Sequence, residues 1–204
     1  MGIWADRILP RLVDRAMRGP EFSRLRERAA HGLGGVVLEI GFGSGLNLPH
    51  YPAGVERIMA VDPAMLGRDL AAERLEKCPI PVEFVGLDGA SLPVEDASVD
   101  AVLSTWTLCT IPDVESALSE IRRVLKPGAA FHFVEHGLSP DAGVARWQHR
   151  LNGVQMALAG GCHIDRRIDS LVTGAGFKID ALENFYAKGP RTHAYMYGGR
   201  ALRA

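Results

Sequence analysis

Glu39-Ile40-Gly41-Phe42-Gly43-Ser44-Gly45-Leu46-Asn47 follows directly on the short apolar run Val36-Val37-Leu38. Glycines at alternate positions let a backbone bend tightly and come close to a ligand. A buried strand feeding such a turn at the carboxyl edge of a parallel sheet is where nucleotide-like ligands bind. The spacing narrows the choice. A dinucleotide fold uses G-x-G-x-x-G, and Leu46 stands where its third glycine would be. A phosphate loop needs Gly-Lys-Ser/Thr, and no lysine follows. What remains is E-x-G-x-G-x-G, with a purely structural turn as the competing reading.

Outward from this turn, strands and helices alternate. Apolar, β-branched runs predict buried strands at 36–40, 57–61, 82–86, 99–104 and 130–135. The clearest helix is 113–125. Val114, Ala117, Leu118, Ile121 and Leu125 share one face, Asp113 is placed to cap the start, and Lys126-Pro127-Gly128 stops it. Further helices are predicted at 144–158 and 165–174. The segments 177–186 and 192–200 read as a terminal pair of strands joined across Lys188-Gly189-Pro190. Alternation of this kind implies right-handed crossovers and a parallel sheet. The fold class expected is therefore α/β: a Rossmann-like, seven-stranded, mostly parallel sheet with helices on both faces and an antiparallel C-terminal hairpin.

Residues 1–32 differ in composition. Leu12, Val13, Ala16 and Met17 sit at helical spacing from Pro10, which suits the first turn of a helix. Trp4, Ile8 and Leu9 precede them, and a second helix is predicted at 21–31. We read 1–32 as a helical cap or lid and 33–204 as the main domain.

The 204 residues carry 23 Lys+Arg against 24 Asp+Glu, a net charge of −1, so no basic surplus points to nucleic acid. Cys78, Cys109 and Cys162 are scattered and form no close-spaced ligand set, so no metal is expected. Cysteines used this way suit a reducing cytoplasm.

Three later features extend the glycine motif. Asp62-Pro63 closes the second strand, where a carboxylate can accept hydrogen bonds from two ribose hydroxyls or cap a helix. Asp88-Gly89 follows the third strand. Ser104-Thr105-Trp106-Thr107-Leu108 follows the fourth, and Arg123 to Gly128 comes in the same order and spacing. Together these resemble the class I S-adenosylmethionine-dependent methyltransferases. That resemblance implies S-adenosylmethionine as cofactor, cradled by Gly41, Gly43 and Gly45. It also implies Glu39 and Asn47 toward its amino acid end, Asp62 and Pro63 at ribose, Asp88 and Gly89 at adenine, and Thr105 and Trp106 beside methionine.

The Asn/Asp-Pro-Pro-Tyr/Phe motif of nucleobase enzymes, the Pro-Cys nucleophile of cytosine-5 enzymes and the magnesium-holding acids of catechol-type enzymes are missing after the fourth strand. Within the type 11 set, Tyr51-Pro52, Thr107-Leu108-Cys109, Glu135-His136, Trp147-Gln148, Gly161-Cys162 and Arg166 resemble the small-thiol S-methyltransferases. A thiol is then the implied acceptor. The same resemblance extends more loosely to quinone and phospholipid methyltransferases, so O-, C- or N-methylation of a quinone, phenol or phospholipid is the alternative. Binding of the cofactor without catalysis is a third reading.

On the acceptor side, His136 at the end of the fifth strand is the candidate catalytic group, able to take a proton or stabilise a thiolate. A structural histidine beside Glu135 is the competing role. Trp4, Glu135, Trp147, His163 and Arg166 are the candidate acceptor-binding residues. Arg7, Arg11, Arg15 and Arg18 make the first helix basic and amphipathic, so peripheral membrane contact is a further expectation. Oligomeric state has no sequence signal.

Overall fold

A computed structural model describes residues 4–63 and 65–203 of the chain. Seven strands form one sheet: β1 (Gly35–Ile40), β2 (Val55–Val61), β3 (Val82–Gly86), β4 (Val99–Thr105), β5 (Leu125–His136), β6 (Phe177–Tyr186) and β7 (Tyr195–Arg203). Their order is β3-β2-β1-β4-β5-β7-β6. The first five strands pair in parallel, while β7 runs antiparallel between β5 and β6. The fold is the expected Rossmann-like α/β sheet with an antiparallel C-terminal pair.

The helices are α1 (Leu9–Ala16), α2 (Pro20–Ala30), α3 (Met65–Lys77), α4 (Val114–Val124), α5 (Ala142–Leu158), α6 (Ile168–Gly174) and the single turn α7 (Arg191–Ala194). A π-helical turn, Trp4–Ile8, leads into α1. Alternation along the strands divides the core between the two faces of the sheet. Leu38, Ile40, Val102, Phe131 and Phe133 pack with α4 and α6. Val37, Ala101, Leu103 and Val134 pack with Leu25, Ala29 and Ala30 of α2 and with Ala71 of α3. Asp113 caps α4 as expected, accepting from Ser116 N at 3.0 Å. That helix buries Val114, Ala117, Leu118, Ile121 and Val124.

Two expectations need correction. The last strand does not begin at 192. Pro190 leads into α7, and Ala187 N donates to Ala194 O at 2.8 Å, so a helical turn closes the hairpin before β7 starts at Tyr195. Residue 32 is also no packing boundary, because α2 belongs to the same core cluster as β1 and β4. Only the segment before α2 lies on the outside, held through Asp14, which is buried and ion-paired with Arg18 and, at 3.2 Å, with Arg74 of α3.

The chain builds outward from β1 to β2 and β3, then crosses back to lay β4 on the other side of β1. Such a switch point opens a crevice at the carboxyl ends of the strands. Register sets its rim: Ile40 lies beside both Val61 and Ser104, so Gly41, Asp62 and Thr105 emerge together.

Candidate active site

The glycine turn after β1 is bent as the motif demands. Gly41, Gly43 and Gly45 all have positive φ, at 77°, 54° and 71°. A Cβ at Gly41 would lie 2.0 Å from Thr107 Oγ1, whereas one at Gly43 would meet nothing closer than Gly41 O at 4.0 Å. Gly43 therefore marks the open side of the turn, and its N–H donates to Asp62 at 2.6 Å. The carboxylate that ends β2 is tied to the loop it faces.

Beneath the turn lies Glu39, wholly buried. Its Oε1 accepts from Asn47 Nδ2 at 2.7 Å and its Oε2 from Tyr51 OH at 2.6 Å. Asn47 Nδ2 also donates to Thr105 Oγ1 at 3.0 Å, which joins β1 to β4 across the crevice floor. Burial raises the Glu39 pKa to about 7, although the bonds from Tyr51 and Asn47 and the charge of Arg26 oppose it. Each of its oxygens keeps a second acceptor position. Asn47 Oδ1 is buried with no hydrogen-bond partner among the described residues. An adenosylmethionine-type ligand fits this set: an open glycine turn, an acid at the end of β2, and a buried carboxamide with an acceptor to spare. Asp88 and Gly89 follow β3 on the same edge; the Asp88 side chain is exposed and accepts from Ala90 N at 2.9 Å.

Trp106 carries the loop after β4. It is one of two described non-glycine residues with positive φ, at 50°. Backbone in that region costs roughly 1–3 kcal/mol and persists only where surroundings hold it. The hold is visible. Trp106 N donates to Val134 O at 2.9 Å. Phe22 meets the indole edge to face at 5.4 Å between centroids, and the buried guanidinium of Arg26 lies 4.8 Å over it. Glu135, wholly buried, accepts at one oxygen from Ser104 Oγ at 3.0 Å, Thr107 N at 2.9 Å and Leu108 N at 3.1 Å. Glu135 thus anchors the β4 loop; its second oxygen has no partner among the described residues.

Beyond Trp106 opens a cavity of about 360 Å³ with mainly apolar walls. Val13 and Met17 come from the N-terminal segment, Phe22 from α2 and Met196 from β7. Cys109, His136 and Cys162 line it together. His136 Nε2 lies 3.0 Å from Cys162 Sγ, and Cys162 Sγ lies 3.7 Å from Cys109 Sγ. The bond from Cys109, then that from His136 and its charge, hold the Cys162 thiol well below the usual thiol range against the effect of burial. Burial depresses His136, but its bond to Cys162 and that thiol's charge more than offset this, leaving its pKa raised. A second cavity, of about 310 Å³, lies between α2 and β5–β7–β6 and includes none of these groups.

Of the residues expected around an acceptor, His136 lines the cavity, and Trp4, Glu135, Trp147, His163 and Arg166 do not; Trp106, expected beside the cofactor, lines it as well. Trp4 is exposed and donates from Nε1 to Leu158 O at 2.9 Å. Trp147 is on the outer face of α5, 54% exposed, with the Arg150 guanidinium over its ring. His163 pairs with Asn152 at 3.3 Å. Arg166 clamps the carbonyls of Leu108 and Ile111, the latter at 2.8 Å. A tryptophan in an amphipathic helix has no sequence signal for which face it takes, and an arginine near a loop can serve the loop.

Four contributors were given no role from the sequence. Tyr51 and Arg26 act on Glu39 and Trp106. Gln148, buried on α5, accepts from Ser139 N and donates to the carbonyls of Gly137, Ile164 and Thr192, so it pins α5 beneath the cavity. Cys109, singled out only within Thr107-Leu108-Cys109, stands beside Cys162.

Comparison with known proteins agrees with this geometry. The Methyltransf_11 family, described as a methyltransferase domain, matches residues 38–133. The thiol S-methyltransferase TMT1A of Homo sapiens is 32% identical over 188 residues, covering 86% of this chain and 75% of the relative. The phosphatidylethanolamine N-methyltransferase of Cereibacter sphaeroides is 32% identical over 145 residues, 66% of this chain and 64% of that protein. An S-adenosylmethionine-dependent methyltransferase structure from Thermotoga maritima superposes with a TM-score of 0.69 at 20% identity, over 100% of both chains, and so shares the fold. The chain is an enzyme of the S-adenosylmethionine-dependent methyltransferases of the Methyltransf_11 type, in the family of the thiol S-methyltransferases TMT1A and TMT1B.

Proposed function

We propose that this enzyme methylates the sulfur of a small, apolar thiol seated in the cavity beside Trp106. The observation that carries the reading is the cavity itself. It is apolar, of small-molecule size, and among the described residues no carboxylate lines it. An amine acceptor of the phosphatidylethanolamine kind would bring a cation to a wall that holds Lys188 and, among the described residues, no carboxylate. A thiolate suits that wall. The named activity of TMT1A supports the same acceptor.

Bound in the crevice, S-adenosylmethionine supplies a methyl group already activated on a sulfonium. The chain's own task is binding and alignment, which can be worth roughly 7–11 kcal/mol in the best cases. Gly41, Gly43 and Gly45 bend the backbone around the ligand. Glu39 and Asn47 offer acceptors to its ammonium group, and Asp62, beside Pro63, does so to its ribose. Asp88 and Gly89 border the adenine, and Thr105 and Trp106 its methionine end. Glu135 supports acceptor binding indirectly, by holding Thr107 and Leu108, which connect the cavity-lining Trp106 and Cys109. His136 stabilises the acceptor sulfur as it loses its proton. Attack of a thiolate on a sulfonium neutralises charge, so a cavity that excludes water favours the step.

A panel of labelled transfer reactions tests this. Small thiols should be methylated; phenols, quinones and phosphatidylethanolamine vesicles should not. Transfer to one of the latter with none to thiols would leave the family intact and remove the thiol.

Peripheral membrane contact has its own support. Trp147, Leu151, Val154 and Leu158 form one exposed stripe on α5, and Trp4, bonded to Leu158 O, continues it through Ile8 and Leu12. The Arg150 guanidinium lies over the Trp147 ring, and Arg7 and Arg11 are exposed in the N-terminal segment that carries Ile8 and Leu12. Among the described residues no helix is long and apolar enough to cross a membrane. An amphipathic surface of this kind lies in a bilayer interface instead.

A further inference from the structure

Cys109, His136 and Cys162 lie far apart in the chain and meet at the floor of the cavity. Their two sulfurs and one imidazole nitrogen all lie within 4.8 Å of one another, and all three residues are buried. The loop after β4 brings Cys109, the end of β5 brings His136, and the loop after α5 brings Cys162. Two further contacts fix the arrangement. His163 N donates to Cys109 O at 2.7 Å, which ties the loop next to Cys162 to the one that carries Cys109. Arg166 holds the carbonyls on either side of that loop.

We propose that these three residues form a binding site for a soft divalent cation, zinc by the chemistry of its donors, with an open fourth position facing the acceptor cavity. Two sulfurs and an imidazole are a zinc donor set, and three protein ligands with one open position are the arrangement of catalytic rather than structural zinc. The spacing agrees. With Zn–S about 2.3 Å and tetrahedral angles, two sulfurs should stand about 3.8 Å apart. Cys109 Sγ and Cys162 Sγ stand 3.7 Å apart. The 3.0 Å contact of His136 Nε2 with Cys162 Sγ must open by about half an ångström to admit the metal, which a side-chain rotation supplies. Because the three ligands line the cavity, an ion held by them presents its fourth position to whatever the cavity holds.

Resting on the thiol reading above, this gives the fourth position an occupant. The acceptor thiol loses its proton to solvent, and its sulfur binds the cation as a thiolate. That sulfur then forms a bond to the methyl carbon while the carbon–sulfonium bond breaks. The bonding pair stays on the departing sulfur, leaving a thioether and S-adenosylhomocysteine, and no oxidant or reductant is consumed.

The test uses cobalt(II), then zinc, added to chelator-treated full-length protein. One cobalt per chain should bind with a thiolate-to-metal charge-transfer band, and zinc should remove that band. Cys109→Ser and Cys162→Ser should each weaken cobalt binding by at least 100-fold while S-adenosylmethionine affinity stays within threefold, which shows the fold intact. If either variant fails to fold, alkylation of the native chain decides. Zinc should protect Cys109 and Cys162 and leave Cys78 at its metal-free rate. Absence of the band, a band unchanged in both variants, or alkylation unaffected by zinc overturns the site. A small thiol, but not a phenol, should then shift the cobalt spectrum. Thiol methylation by metal-free protein at the full rate would sink the inference and spare the thiol reading. A cobalt site indifferent to thiols, with no thiol methylated, would support the cation site and sink the acceptor.

Discussion

On the β1 side of the carboxyl edge, Glu39, Gly41, Gly43, Asn47, Tyr51 and Asp62 all fall within residues 39–62, and Thr105 joins them across the floor. On the β5 side, Cys109, His136 and Cys162 are drawn from two loops and the end of β5 and meet because the sheet and α5 bring them together. The first half is a bent backbone that a short segment determines almost alone. The second is a set of side chains whose positions depend on the packing of Gln148, Arg166 and Glu135 behind them. Substitutions in the first should act on the cofactor and those in the second on the acceptor, and each prediction below probes that separation.

The largest effect should come from Gly41→Ala. Its Cβ would overlap the Thr107 side chain, and Glu135 holds the Thr107 amide, so the loop has little room to withdraw. The positive φ adds its own cost of roughly 1–2 kcal/mol. We expect a loss of about 3–5 kcal/mol in unfolding free energy. Gly43→Ala meets only the φ cost, so the free protein should keep most of its stability while cofactor affinity falls at least tenfold. Denaturant unfolding and titration calorimetry measure both. Equal stability of the two variants would break the account of the turn.

Next in size is the exchange between halves. Asp62→Ala should raise the S-adenosylmethionine Kd by about 10- to 100-fold, the loss of one or two charge-assisted hydrogen bonds, with little change in the acceptor KM. His136→Ala should do the reverse, lowering kcat for a thiol by about 100-fold with cofactor affinity within threefold. If His136→Ala weakens cofactor binding as much as Asp62→Ala does, the halves are not separable.

A smaller effect carries a pH signature. Glu39 titrates near 7 in the folded chain, above its ordinary 4.5. An acid whose folded pKa is raised stabilises the fold below about 4.5, and that contribution is lost as pH rises through 7. Glu39→Gln should therefore gain on the wild type in thermal midpoint between pH 5 and 8. A cationic ligand reverses the preference, because it favours the carboxylate. Below pH 7, cofactor binding should release a proton and weaken by up to tenfold per pH unit, a slope the Gln variant lacks. Calorimetry in buffers of different ionisation enthalpy reads that proton directly.

These contrasts explain what the sequence made legible. The run 36–40, the alternate glycines and Asp62 lie close together, so spacing carries them. β1, β4 and the carboxyl-end halves of β2 and β5 are buried on both faces and read as apolar runs for the same reason. Terminal geometry was less legible. Pro190 and Thr192 look equally suited to a strand or a helical turn, and the packing of Ala194 decides. Gly161-Cys162 and Glu135-His136 stood out only through resemblance, because 26 residues separate His136 from Cys162 and no periodicity connects them. Trp147 was expected at the acceptor because nothing in its spacing says which face of α5 it takes: α5 reaches the cavity at Gln155, while Trp147, Leu151, Val154 and Leu158 point outward.

That outward face supplies the smallest effect. Leu151 and Val154 are exposed, so replacing them with serine removes no core contact and should leave the thermal midpoint within about 2 °C. If the stripe lies in a bilayer interface, each substitution exchanges a partly buried aliphatic group for a hydroxyl and costs about 1 kcal/mol, close to fivefold in vesicle partitioning. Sedimentation with anionic vesicles should then show about 25-fold weaker binding for Leu151→Ser/Val154→Ser. Turnover of a water-soluble thiol should be unchanged, since neither residue lines the cavity. Unchanged partitioning would place the membrane contact elsewhere. A parallel loss of turnover would mean that the outer face of α5 is coupled to the acceptor half, and the separation of the two halves would have to be redrawn through α5.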